Sequence, residues 1–109
     1  GVRYEIIPAG ASISAESSKE LESKVKAIVE SLGIYDHVVS RAQIHVSEDF
    51  TLMMRHVMDN GGLATYLMWG SDIKNAFHNG NFDFDEGTMV KAVKTLYATV
   101  VELNEKRPV

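Results

Sequence analysis

Apolar residues change their period several times along the chain, and each change marks a candidate element. From Val2 to Pro8, Val2, Tyr4 and Ile6 alternate with Arg3, Glu5 and Ile7, the period of two expected of a half-buried strand. Pro8 and Gly10 end that run. After a small polar stretch, Ala11 to Ser18, the residues Leu21, Val25, Ile28, Val29 and Leu32 recur at helical spacing. Ser17 and Glu20 make a capping box ahead of this helix, and Gly33 supplies the left-handed residue that stops it. Ala42 to Val46 predicts a short strand, with Ile44 and Val46 across the pleat from His45. Ser47 follows as an N-cap, placing Glu48 and Asp49 in a first turn where negative charge suits the helix dipole. Phe50, Met53, Met54, Val57 and Met58 form the apolar stripe of this second helix, which Gly61 and Gly62 terminate. Leu63 to Trp69 is nearly continuously apolar, as a buried central strand would be. A polar loop then runs from Gly70 to Asp85, and a last helix begins near Asp85, expected to turn Met89, Val93, Leu96, Tyr97, Val100 and Val101 inward.

The order strand, helix, strand, helix, strand, loop, helix predicts an α/β fold, a layered sheet with helices packed on it. The 109 residues suffice for one small domain and no more. A composition of 45% apolar and 24% charged residues is ordinary for a globular protein and argues against disorder. A net charge of −4 with no basic block argues against nucleic acid as a partner. No apolar run approaches the roughly 20 residues of a membrane span, and no basic-then-apolar leader opens the chain. The absence of cysteine removes disulfides and thiol nucleophiles from consideration and fits a cytoplasmic location. The start at Gly1, inside strand-like sequence, points to numbering that begins partway through a longer protein.

Two segments stand apart from this scaffold. Ser47-Glu48-Asp49-Phe50 lies where a strand meets a helix, and His78-Asn79-Gly80-Asn81-Phe82-Asp83-Phe84-Asp85-Glu86 lies in the loop after the buried strand. Loops that leave the ends of central strands are where α/β proteins hold ligands. Each segment also has a plain structural explanation. Ser-Glu-Asp before an apolar stripe is a common helix start, and Asp83 and Asp85 suit a turn and a cap. His78 alone cannot hold a metal, because zinc sites take three or four ligands, and His37, His45 and His56 show no ligand spacing. No nucleophile elbow or phosphate-binding glycine loop is present.

Taken together, in this order and at this separation, the two segments resemble a family. Ser47-Glu48-Asp49-Phe50 resembles the Gly-Ser-Glu-Asp-Phe motif of bacterial metal-dependent amidohydrolases of the aminoacylase and carboxypeptidase G type. His78-Asn79 followed by Phe82-Asp83-Phe84-Asp85-Glu86 resembles their carboxy-terminal His-Asn-x-x-Phe-Asp-Phe-Asp-Glu signature, and Gly61 to Tyr66 is similar to the aminobenzoyl-glutamate utilisation branch. The likeness runs from about Glu5 to about Glu102.

This resemblance implies that residues 1–109 are the carboxy-terminal portion of a peptidase-like catalytic domain, with 1–10 the strand returning from an inserted dimerisation domain. It implies hydrolysis of amide bonds in N-acyl amino acids or short peptides, aminobenzoyl-glutamate among them, with two divalent ions, zinc or manganese. His78 matches the family's last metal ligand, while Ser47, Glu48, Asp49 and Asn79 are candidates for the substrate pocket, Glu48 and Asp49 serving either to shape it or to cap a helix. The other ligands and the general base would come from the rest of the catalytic domain, which is the chain's first expected partner, so that the 109 residues alone would hydrolyse nothing. A homodimer through exposed strand edges is a second expectation. Val46 stands where the family carries Gly and Gly80 where it often carries Pro, which bears on substrate choice without removing a ligand. The competing expectation is a free-standing small α/β module that binds a ligand or a partner without catalysis.

Overall fold

The computed structural model describes residues 1–14, 16–43 and 48–105, and its regular structure is helical. The elements are α1 (Lys19–Ser31), α2 (Phe50–Asp59) and α3 (Gly87–Glu105). All three fall where the 3.6-residue period predicts them, and the predicted stops operate. Gly33 takes φ 59 beyond α1, its N–H donating to Glu30 O at 3.2 Å. Gly61 takes φ 81 beyond α2, with its N–H on Met58 O at 3.0 Å and the Gly62 N–H on Val57 O at 2.9 Å. That bond pair satisfies carbonyls that a helix end otherwise leaves orphaned.

The starts differ from expectation. Ser18, not Ser17, is the N-cap of α1, and no side-chain cap bond forms there. The predicted capping box is replaced by a clasp to a distant segment. Ser18 N–H donates to Ala64 O at 2.8 Å, and Ala64 N–H donates to Ser18 Oγ at 3.1 Å. Ser17 Oγ accepts from Thr65 Oγ1 at 2.9 Å and from Tyr66 N–H at 3.3 Å. Glu20, released from capping, pairs with Lys24 one turn on at 2.6 Å. This bond, and the nearby ammonium charge, hold its carboxyl below the ordinary value of 4.5.

The expected layered α/β sheet is not formed. Among the described residues there is no strand, only an isolated antiparallel bridge between Ile73 and Phe84. The physical reason is that a strand, unlike a helix, satisfies its backbone only through a neighbour. The stretch 2–7 finds none: Val2, Tyr4 and Ile6 are almost fully exposed. The 63–69 stretch is engaged through the Ser17 and Ser18 clasp and an edge-on contact between Phe50 and Tyr66, with ring centroids 5.6 Å apart, and not through a ladder. Most of the predicted strand 42–46 lies outside the described residues.

Helices α1 and α3 pack on each other, and α2 packs on neither. Val25 of α1 and Met54 of α2 are the fully buried apolar residues among those described, and Thr95 of α3 is buried with them. Thr95 Oγ1 lies 2.7 Å from Tyr35 Oη, which accepts from Trp69 Nε1 at 2.9 Å, tying α3, the 32–36 turn and the 63–69 segment at one point.

The orientation of α3 reverses the expectation. Its inward face is Thr88, Ala92, Thr95 and Thr99, small and weakly polar, whereas Met89, Val93, Leu96, Tyr97 and Val100 are exposed. Val101 is half-buried. The chain as a whole is correspondingly open. Its solvent-accessible surface is 9299 Å², against about 6,000 Å² for a folded monomer of its 12.1 kDa mass. Its radius of gyration is 18.0 Å, against about 13 Å for a compact domain of this length. These two quantities weigh against a free-standing module. No helix among the described residues is long and apolar enough to cross a membrane.

Candidate functional site

The predicted polar loop has a built structure. Its two limbs meet at the Ile73–Phe84 bridge, where Lys74 N–H donates to Asp83 O at 3.1 Å and Asp85 N–H to Asp72 O at 3.2 Å. Side chains reinforce this base. Lys74 Nζ contacts Asp83 Oδ2 at 2.7 Å, and Asn75 Nδ2 donates to Asn81 O at 2.7 Å. Both partners of the ion pair are exposed, so it contributes about 1 kcal/mol at most and acts chiefly to set direction. Phe77, Phe82 and Phe84 stack in series, with centroids 5.5 Å and 6.1 Å apart, giving the loop a small apolar spine of its own.

Asp85 anchors this loop to the helix that follows. Its Oδ1 accepts from Gly87 N–H at 2.9 Å, capping the start of α3, while its own N–H donates to Ser71 Oγ at 3.0 Å. Asp83 Oδ1 accepts from Phe84 N–H at 3.1 Å. The two aspartates of the Phe-Asp-Phe-Asp-Glu run therefore hold the loop closed, the turn and cap roles their residue type allows.

His78 sits near the tip of this loop. Its φ of 60 makes it the one non-glycine residue in the left-handed region among those described. For an L-residue this conformation costs about 1–2 kcal/mol, and such strain concentrates at functional positions. His78 is exposed, and its imidazole makes no hydrogen bond to any described residue. Asn79 beside it is occupied by the turn: its Oδ1 accepts from Asn81 N–H at 2.9 Å and its carbonyl from Phe82 N–H at 2.9 Å.

The second motif serves a helix start. Glu48 O accepts from Thr51 N–H at 3.1 Å and from Thr51 Oγ1 at 2.7 Å, and Asp49 is the N-cap of α2 without a side-chain cap bond. Both residues are exposed, and neither side chain bonds to the 71–86 loop. Ser47 lies outside the described residues. Among the described residues no three His, Asp or Glu side chains converge on one point. The donor set therefore amounts to one imidazole, suitable in type for zinc and insufficient in number to hold it.

Sequence reasoning overlooked Ser71, Lys74 and Asn75, which share the loop's closure with the signature residues. Nothing in their spacing singled them out within a loop rich in Asn, Gly and Asp.

One relative is a p-aminobenzoyl-glutamate hydrolase component of Escherichia coli K12, 30% identical to this chain over 102 residues, 93% of the chain and 23% of the relative. Its homolog in Haemophilus influenzae is 30% identical over 101 residues, again 93% of the chain and 24% of the relative. The indole-3-acetyl-aspartic acid hydrolase of Enterobacter agglomerans is 44% identical over 63 residues, 58% of the chain and 14% of the relative. Over the part it spans, the chain belongs to this amidohydrolase family, in its aminobenzoyl-glutamate branch. It spans less than a quarter of the length of these curated relatives. No family model matches the chain, and no solved structure matches it. Among the described residues, the His78 loop is the one segment in which a residue type suited to metal and a strained backbone coincide.

Proposed function

We propose that the chain is the carboxy-terminal portion of a cytoplasmic, metal-dependent amidohydrolase that cleaves N-acyl amino acids, with aminobenzoyl-glutamate as the substrate class its relatives favour. In this reading His78 donates one imidazole to a shared metal centre, and Glu48, Asp49 and Asn79 border the pocket. The single observation that carries it is the exposed imidazole, without a hydrogen bond among the described residues, held at φ 60 on a loop closed by Asp83 and Asp85. A turn with no chemical task would place glycine or asparagine at such a φ, and both follow immediately as Asn79 and Gly80.

The metal, when bound, supplies Lewis acidity toward the amide carbonyl and the attacking water. The contribution of this chain is positional. The Asp85 anchor fixes the loop base to α3, the phenylalanine series stiffens it, and the Asn79 turn directs the tip. No described carboxylate joins His78, so the general base and remaining ligands come from polypeptide outside these residues.

The test uses the full-length protein. His78→Ala should remove bound metal, measured by elemental analysis of the dialysed protein. It should lower hydrolysis of p-aminobenzoyl-glutamate by more than the roughly 10–100-fold typical of losing an outer-shell partner. Full metal content and full activity in this variant would overturn the assignment.

A further inference from the structure

Helix α3 packs the wrong way round for a protein that ends at its own surface. Its covered residues are mostly threonines and alanines, with Val101 half-buried beside them, and Thr99 Oγ1 is buried without a hydrogen-bond partner among the described residues. Its large apolar side chains face outward: Met89 is 48% exposed, Val93 65%, Tyr97 72% and Val100 59%. Burial of such side chains is the main favourable term in folding, so a helix segregated in this sense has its principal contact elsewhere. The stripe does not stop at the helix. Tyr97 also lines an open groove of about 440 Å³ between α1 and α3, with Ile28, Leu32, Ile34 and Val101. Stripe and groove adjoin at Tyr97, the groove being lined also by Ser31, Lys94 and Glu102, along the roughly 28 Å of a 19-residue helix.

The size of the exposed surface decides between occupants. The chain exposes about 3,300 Å² more than a folded monomer of its mass. A standard protein interface removes about 800 Å² per partner. A second copy seated on one face would leave most of the excess in water. Polypeptide that surrounds the chain on several sides would not. The relatives that align with 93% of this chain are about four times its length, which supplies such polypeptide.

We infer that the outer face of α3, centred on Val93, Tyr97 and Val100, is an intramolecular docking surface covered by an apolar face of the rest of the same polypeptide. This rests on the proposal that the chain is part of a longer hydrolase, and it adds which face makes the junction and what covers it.

Hydroxyl-radical footprinting tests this without any substitution. Met89 and Tyr97 should be modified readily in the 109-residue chain at a dilution where it sediments as a monomer. In the full-length protein they should be protected at least tenfold, and the protection should persist on dilution. Equal modification in the two proteins would overturn the inference. So would protection in the short chain that rises with concentration alongside a dimer, since a second copy would then be the occupant. As an independent arm, Val100→Thr, which keeps shape and adds a hydroxyl, should lower the melting temperature of the full-length protein and leave that of the short chain unchanged. The same shift in both proteins would count against the inference. None of these readouts depends on metal or hydrolysis. Protection at Tyr97 together with an active His78→Ala enzyme would sink the functional proposal and leave this one standing.

Discussion

Replacing His78 with glycine and with alanine separates the strain in its backbone from the chemistry of its ring. At φ 60 the clash belongs to the Cβ, which alanine keeps and glycine lacks. His78→Ala should therefore leave the closure of the loop nearly unchanged. His78→Gly removes about 1–2 kcal/mol of strain but adds about 0.5–1 kcal/mol of chain entropy to lose on ordering. The glycine variant should thus hold the loop more tightly than the alanine variant by about 1 kcal/mol, roughly fivefold in the local opening equilibrium. The assay is amide hydrogen exchange at Lys74, Phe82 and Asp85, whose N–H groups bond to Asp83 O, Asn79 O and Asp72 O inside the loop. Ala76, two residues away and outside the left-handed region, is the control. There Ala76→Gly should speed exchange, because only the entropic term remains. The strain argument fails if glycine at position 78 exchanges as fast as alanine, or if positions 76 and 78 respond with the same sign. Success would mean that a histidine is kept where glycine would fold better, which is the signature of a side chain retained for its chemistry.

Other perturbations probe the scaffold. Tyr35→Phe deletes the hydroxyl between Trp69 Nε1 and Thr95 Oγ1 and should destabilise the chain by about 1–3 kcal/mol, read as a lower urea midpoint with a changed Trp69 fluorescence. Gly62→Ala places a Cβ 2.7 Å from Val57 Cγ1 and 3.1 Å from Val57 O, so it should cost about 1–3 kcal/mol. Gly61→Ala meets no atom within 4 Å but carries the strain of φ 81 and should cost about 1 kcal/mol. Glu20, whose carboxyl is held below 4.5 by the bond and charge of Lys24, contributes its stabilisation above the unfolded value and loses it as pH falls through the lowered one. A carbon-detected NMR titration should show its midpoint rise toward 4.5 in Lys24→Ala, with little change in overall stability because the pair is exposed.

Helices were legible in the sequence because a helix closes its own hydrogen bonds. The stripe Leu21, Val25, Ile28 and the stops at Gly33 and Gly61 are statements about a few adjacent turns, and each holds. The cap at Asp85 was legible for the same reason. Strands were not, because Val2 to Ile7 and Leu63 to Trp69 announce by their composition that they can be buried without naming a neighbour, and none is present among the described residues. The face of α3 was misread on similar grounds: Met89, Val93 and Tyr97 mark an apolar side, and only contacts decide what covers it. At the site, the resemblance singled out residue 78 but said nothing of its left-handed backbone. Local propensity alone would assign that conformation to Asn79 or Gly80.

The clasp between Ser17, Ser18 and the 64–66 segment has a bearing on the order in which the molecule assembles. Joining positions 46 residues apart carries a length-dependent entropy of about 3.4 kcal/mol. Its four hydrogen bonds return roughly 1 kcal/mol each. So nearly balanced a junction does not form early from an open coil. It is expected to shut once α1 and α2 have shortened the path between its halves, and to open on warming, freeing the amino-terminal arm while the helices keep their hydrogen bonds.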